Sequence, residues 1–171
     1  VTTFPAELLA LRQFVLWRAE TRDGRVTKVP YQVNGKRAST TDPATWTDFE
    51  TAALAFTYSH RRWSGISFVF SADDPYCGID LDHVIDPATG EIDEQALAII
   101  ETLNSYTEYS PSGTGVHIYV RATLPADARH KLGGVEVYDR ARAFTVTGRQ
   151  FGTTPDTLAG WDGAELGRLL F

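Results

Sequence analysis

Gly78-Ile79-Asp80-Leu81-Asp82-His83 is the stretch from which the rest of the chain is read. Apolar and acidic residues alternate in it with the period of a β-strand. Successive side chains on a strand point to opposite faces, so Ile79 and Leu81 turn toward a core while Asp80 and Asp82 share the other face. Taken alone, an Asp-x-Asp reads first as a strand end whose aspartates face water. Two carboxylates held that close repel unless a cation lies between them, and hard oxygen donors suit Mg²⁺ or Mn²⁺.

The surrounding sequence supplies the partners for such a strand. On the N-terminal side, the pattern predicts a short helix over 5–11, a strand over 14–17, a turn at Thr21-Arg22-Asp23-Gly24 and a hairpin partner over 26–31. A turn follows at Asn34-Gly35. Helical spacing runs over 47–60, with Phe49, Ala52, Ala53 and Phe56 on one face, and a strand over 63–70. The central strand itself spans 76–81. On the C-terminal side, a turn over 86–90 leads to a helix over 92–103 with Ile92, Ala96, Ile99, Ile100 and Leu103 facing inward. Strands are expected over 106–109, 116–121, 134–138 and 143–147, and a last helix over 163–170. Strands outnumber helices without strict alternation. This predicts an α+β fold with a mixed or antiparallel sheet, built on a split βαβ core beside a small N-terminal αβ lobe. The expected organisation is one domain over 1–171: lobe 1–70, core 71–150, and a C-terminal tail helix within 151–171.

Bulk composition agrees with a folded, soluble chain. It has 171 residues, 43% of them hydrophobic, and one cysteine, Cys77, which excludes an internal disulfide and a cysteine zinc cluster. There is no apolar run on the order of 18 residues and no signal-peptide pattern, so a cytoplasmic location without membrane contact is expected. Net charge is −6, but it is unevenly spread. Residues 73–108 hold ten Asp or Glu and no Lys or Arg, between two mildly basic segments.

Two further segments carry chemistry. In Ser110-Pro111-Ser112-Gly113-Thr114-Gly115-Val116-His117, small residues allow close backbone approach to an anion, and His117 follows on a strand. Alone it also reads as a Gly-rich hairpin turn before a core histidine. In Gly134-Val135-Glu136-Val137-Tyr138, an acid stands inside a β-branched strand. Glu136 must turn to solvent or find a partner, and a metal shared with Asp80 and Asp82 is one such partner. Arg140 and Arg142 come next, and an arginine there can reach a triphosphate.

The order of these motifs resembles the archaeo-eukaryotic primase superfamily, and within it the primase-polymerases of phages and plasmids. The resemblance rests on 78–83, 110–117 and 135–148, on Tyr106-Thr107-Glu108-Tyr109-Ser110, on Lys28-Val29-Pro30-Tyr31 and on Ser39-Thr40-Thr41-Asp42-Pro43. It implies an RRM-like catalytic core and a template-dependent DNA primase or polymerase. Such an enzyme transfers a nucleotide from a dNTP or NTP to a 3′-hydroxyl with two Mg²⁺ or Mn²⁺ ions. It implies Asp80, Asp82 and Glu136 as catalytic metal ligands. Ser112, Gly113, Thr114, Gly115, His117 and Arg142 would bind the nucleotide, and Lys28 would touch nucleotide or template. Implied partners are single-stranded template and primer, and a helicase or helical priming domain in the full-length protein, in a bacterial host. One departure is Ala143, where relatives often carry an aromatic residue near the sugar; Tyr138 is a candidate substitute.

Three other readings compete. A rolling-circle nickase needs a His-apolar-His pair, and His117-Ile118-Tyr119 supplies one histidine only. A non-catalytic single-strand-binding module would stack bases on Tyr106, Tyr109, Tyr119 and Tyr138. A repair polymerase of the same superfamily would share the chemistry.

Overall fold

The computed structural model describes residues 4–59 and 61–171. The chain divides into two compact units. Of the described residues, one comprises 4–5, 72–139 and 147–171, and the other 6–59, 61–71 and 140–146.

In the second unit, helix α1 (Ala6–Leu9) precedes strands β1 (Phe14–Arg22) and β2 (Arg25–Tyr31). β1 is longer than its apolar core predicts, because it runs on to Arg22. That leaves Asp23 and Gly24 as a tight turn with φ of +49° and +75°. Both positions need left-handed backbone, which Gly adopts freely and Asp tolerates, and such turns match the twist of the flanking strands. Helix α2 (Phe49–Tyr58) starts where the Asp48 carboxylate accepts from the Thr51 N–H at 2.8 Å. The expected helix end at His60 lies outside the described residues. Strand β3 (Gly65–Phe70) follows.

In the first unit, strand β4 (Tyr76–Leu81) leads to helix α3 (Glu94–Leu103) and strands β5 (Thr107–Tyr109) and β6 (Val116–Arg121). The Asp93 carboxylate caps α3, accepting from the Gln95 and Ala96 N–H groups. The pair β7 (Lys131–Leu132) and β8 (Val135–Tyr138) forms a hairpin through Gly133, φ +58°. The sequence pattern does not predict β7, which is two exposed residues long. Strand β9 (Arg142–Val146) and helix α4 (Gly163–Leu170) complete the elements.

The fold is α+β with antiparallel sheets. The first unit has a five-stranded sheet in the order β5-β6-β4-β8-β7, and the second a four-stranded sheet in the order β2-β1-β3-β9. β4 and β5 both run antiparallel to β6, which lies between them, and α3 connects them. β9 pairs with β3, so residues 140–146 belong to the second unit although both flanking segments belong to the first.

The core of the first unit decides which face of its sheet is left for chemistry. Cys77, Ile79 and Leu81 of β4, with Val116, Ile118, Val120 and Val137, pack against Ala96, Ile100 and Leu103 of α3 and Leu166 and Leu170 of α4. Both helices therefore cover the odd-numbered face of β4. Burial at about 25 cal/mol per Å² of apolar surface fixes that register, because a slip by one residue would turn Asp80 into the core. Burial also pushes the Cys77 thiol well up, helped by the nearby Asp139 carboxylate, so this cysteine acts as a small apolar core residue.

Candidate active site

The face of β4 away from the helices carries a row of ionisable residues in register. Asp80 stands opposite His117 of β6 on one side and opposite Glu136 of β8 on the other. His117 stands opposite Glu108 of β5, and Glu136 opposite Lys131 of β7. The row across five strands thus reads Glu108, His117, Asp80, Glu136, Lys131. Directly opposed residues of antiparallel strands share a face and lie within contact distance.

The His117 ring is buried between two carboxylates. Its Nε2 lies 3.9 Å from Asp80 Oδ1 and its Nδ1 lies 3.9 Å from Glu108 Oε1. Glu108 is fully buried, and its oxygens accept from the Tyr119 hydroxyl at 3.1 Å, the Tyr106 hydroxyl at 3.1 Å, and the Thr147 and Gly148 N–H groups at 3.2 and 2.8 Å. A buried carboxylate persists only with such compensation. Burial first, and then the Glu108 carboxylate, raise the Tyr119 hydroxyl well above its usual range, so it stays a hydrogen-bond donor. Glu108 lies inside the motif Tyr106–Ser110, but the sequence reading assigned it no role. Alternation gives only the face of β5 that it occupies, and pairing with β6 puts it beside His117.

On the other side, the Glu136 carboxylate accepts from the Tyr138 hydroxyl at 3.0 Å and pairs with the Lys131 ammonium. Tyr138 stacks flat on His130, with ring centroids 5.5 Å apart. Asp82 lies just past the end of β4 and is exposed; the chain turns at His83, φ +56°. The Asp82 N–H donates to the Gly134 carbonyl at 2.8 Å, so the β7–β8 turn rests on Asp82's backbone.

The Ser-Gly loop meets the same strand end. A Cβ on Gly115 would lie 2.5 Å from the Leu81 carbonyl oxygen, so only glycine lets the loop pack there. The Ser110, Ser112 and Thr114 hydroxyls form a chain with spacings of 2.9 and 3.0 Å, the Thr114 N–H donates to Ser112 Oγ, and Gly113 takes φ +77°. Arg149 ties the loop down by donating to the Ser110 carbonyl at 2.7 Å.

Of the residues singled out from sequence, Asp80, Asp82, Glu136, His117 and 112–115 thus lie in the first unit, around one end of β4. Arg142 and Lys28 lie in the second unit, where Arg142 opposes Phe70 and the Lys28 ammonium sits 5.3 Å over the Trp17 ring. The donor chemistry of Asp80 and Glu136, hard oxygens on neighbouring strands, fits a divalent cation. Among the described residues no three His, Cys, Asp or Glu side chains are already grouped to hold one. Lys131 and Tyr138 engage Glu136 instead. The base-stacking alternative loses two of its platforms, because Tyr106 and Tyr119 are buried under Phe4 with both hydroxyls on Glu108. No described helix is long and apolar enough to cross a membrane.

No family model matches the chain. It is 39% identical over 145 residues to the DNA primase-polymerase of Nitratiruptor phage NrS-1. The chain therefore resembles a phage DNA primase-polymerase over 81% of its own length, and spans 19% of that protein's.

Proposed function

We propose that this chain is the nucleotidyl-transfer core of a phage- or plasmid-type primase-polymerase, adding nucleotides from dNTP or NTP to a 3′-hydroxyl on a single-stranded template. The observation that carries the reading is the register of Asp80, His117 and Glu136 on three adjacent strands, beside the Ser-Gly loop. The likeness to a phage primase-polymerase supports the same reading.

We read the first unit as an RRM-like catalytic core, on the strand order β5-β6-β4-β8, and residues 6–71 as an N-terminal lobe. Asp80, Asp82 and Glu136 are the proposed ligands of Mg²⁺ or Mn²⁺. When bound, the divalent ions supply positive charge to the triphosphate and acidify the attacking hydroxyl. The chain's own residues do the rest. The Ser112 and Thr114 hydroxyls and the 113–115 backbone cradle phosphate oxygens, the His117 imidazole donates to one of them, and both stabilise charge that builds on the leaving pyrophosphate. Glu108 positions His117 from behind. From the second unit, Arg142 is proposed to contact the triphosphate, and Lys28 the nucleotide or template. The second unit holds eleven Lys or Arg against six Asp or Glu, the balance expected of a surface for nucleic-acid phosphates.

The test is incorporation of labelled triphosphates on single-stranded DNA, with and without a primer, in Mg²⁺ and then Mn²⁺. Product that depends on template and divalent cation supports the proposal. Single-strand binding with no product under any of these conditions contradicts it.

A further inference from the structure

The β7–β8 hairpin ends the charged row with a cation of its own. Lys131 opposes Glu136 directly, its ammonium pairs with the Glu136 Oε1, and its side chain is 60% exposed while that of Glu136 is 11% exposed. The lysine stem therefore reaches in from solvent to cover a nearly buried carboxylate. The same hairpin touches Asp82, through the Asp82 N–H on the Gly134 carbonyl and the contact that forbids a Cβ on Gly134. Glu136 and Asp80, side by side, are unfavourable together without a neutralising charge. In this structure Lys131 supplies that charge at Glu136.

We infer that Lys131 is a resident cation for the carboxylate site: it neutralises Glu136 while no divalent ion is present, and is displaced when one binds. The inference rests on the metal reading of Asp80 and Glu136 proposed above. Two positive charges cannot both sit against Glu136 without strong repulsion, so loading the site means moving the ammonium out along its exposed stem. This lowers the affinity of the empty-handed site for a bare ion. It also frees an ammonium beside the site, where the phosphates of an incoming triphosphate can take it up. The device makes metal loading favourable mainly together with nucleotide.

The experiment is Mn²⁺ binding to the whole chain, followed by the electron paramagnetic resonance signal of free Mn²⁺, without nucleotide. Wild type, Lys131→Met, Lys131→Gln and Asp80→Asn are compared, with circular dichroism to confirm folding. Both lysine variants are expected to bind Mn²⁺ about threefold to tenfold more tightly than wild type, and Asp80→Asn to lose binding. Equal or weaker binding by both lysine variants, with Asp80→Asn still losing it, overturns the inference and leaves the metal reading intact. Binding that Asp80→Asn does not change, or no binding by any form, overturns the metal reading and the inference with it.

Discussion

Asp80 and Glu136 face one another across adjacent antiparallel strands, each flanked along its strand by apolar side chains that pack into or against the core. Ile79 and Leu81 hold β4 in register, and Val137 holds β8, so the two carboxylates cannot separate without disrupting the core. Like charges placed this way cost about 0.2–1 kcal/mol. The Lys131 ammonium on Glu136 offsets that cost, so in divalent-free buffer Lys131→Met is expected to lower stability to urea by about that amount. Unchanged or higher stability of this variant would show that Lys131 does not offset the repulsion between the two carboxylates.

Glu108 anchors the other end of the row. Its oxygens satisfy two buried tyrosine hydroxyls and two backbone N–H groups. Glu108→Ala leaves those donors buried without an acceptor, and each such group costs about 1–3 kcal/mol. The expected loss is about 3–5 kcal/mol by denaturant unfolding, on the scale of breaking a buried charge partnership. Glu108→Gln keeps one acceptor oxygen and should lose roughly half as much. A change in either variant of less than about 1 kcal/mol contradicts this role.

The Ser-Gly loop depends on close approach at Gly115. A Cβ there would sit 2.5 Å from the Leu81 carbonyl and 3.3 Å from the Asp82 Cα. Gly115→Ala is expected to cost about 1–3 kcal/mol as the loop is pushed off the strand end. It should raise KM for triphosphate more than it lowers kcat, because the phosphate cradle moves while the carboxylates stay. Unchanged KM in steady-state incorporation would separate this loop from the nucleotide.

The second unit has its own pH signature. The hydrogen bond from the Tyr31 hydroxyl, followed by those from Arg18 and Arg37, holds the Glu20 carboxyl down at about 2, against an ordinary 4.5. A depressed carboxylate contributes stability above its unfolded value and loses it as pH falls toward the folded value. Thermal stability should therefore decline between pH 4.5 and about 2, and Glu20→Gln should flatten that part of the profile. Parallel profiles for the two proteins would count against it.

Much of the site is legible in the sequence, because it is written in strand alternation. The period of two in 78–82 separates Ile79 and Leu81 from Asp80, and the same alternation around Glu136 and His117 places both on sheets with one apolar face. Contacts made across strands are less visible. Lys131 sits in a two-residue edge strand with no periodicity to announce it, and only pairing with β8 brings it to Glu136. Glu108 reads as one acid among ten in its segment until β6 puts His117 beside it. The strand at 142–146 has a clear β pattern, but its residues do not say which sheet it joins, and it pairs with β3.

The most direct measurement is template-dependent incorporation of a labelled triphosphate by Asp80→Ala and Glu136→Ala, with folding confirmed by circular dichroism. Both variants are expected to fold and to lose incorporation by about a hundredfold or more, the scale of removing a group that stabilises developing charge. Near wild-type incorporation by either folded variant would contradict a nucleotidyl-transfer site built on these two carboxylates.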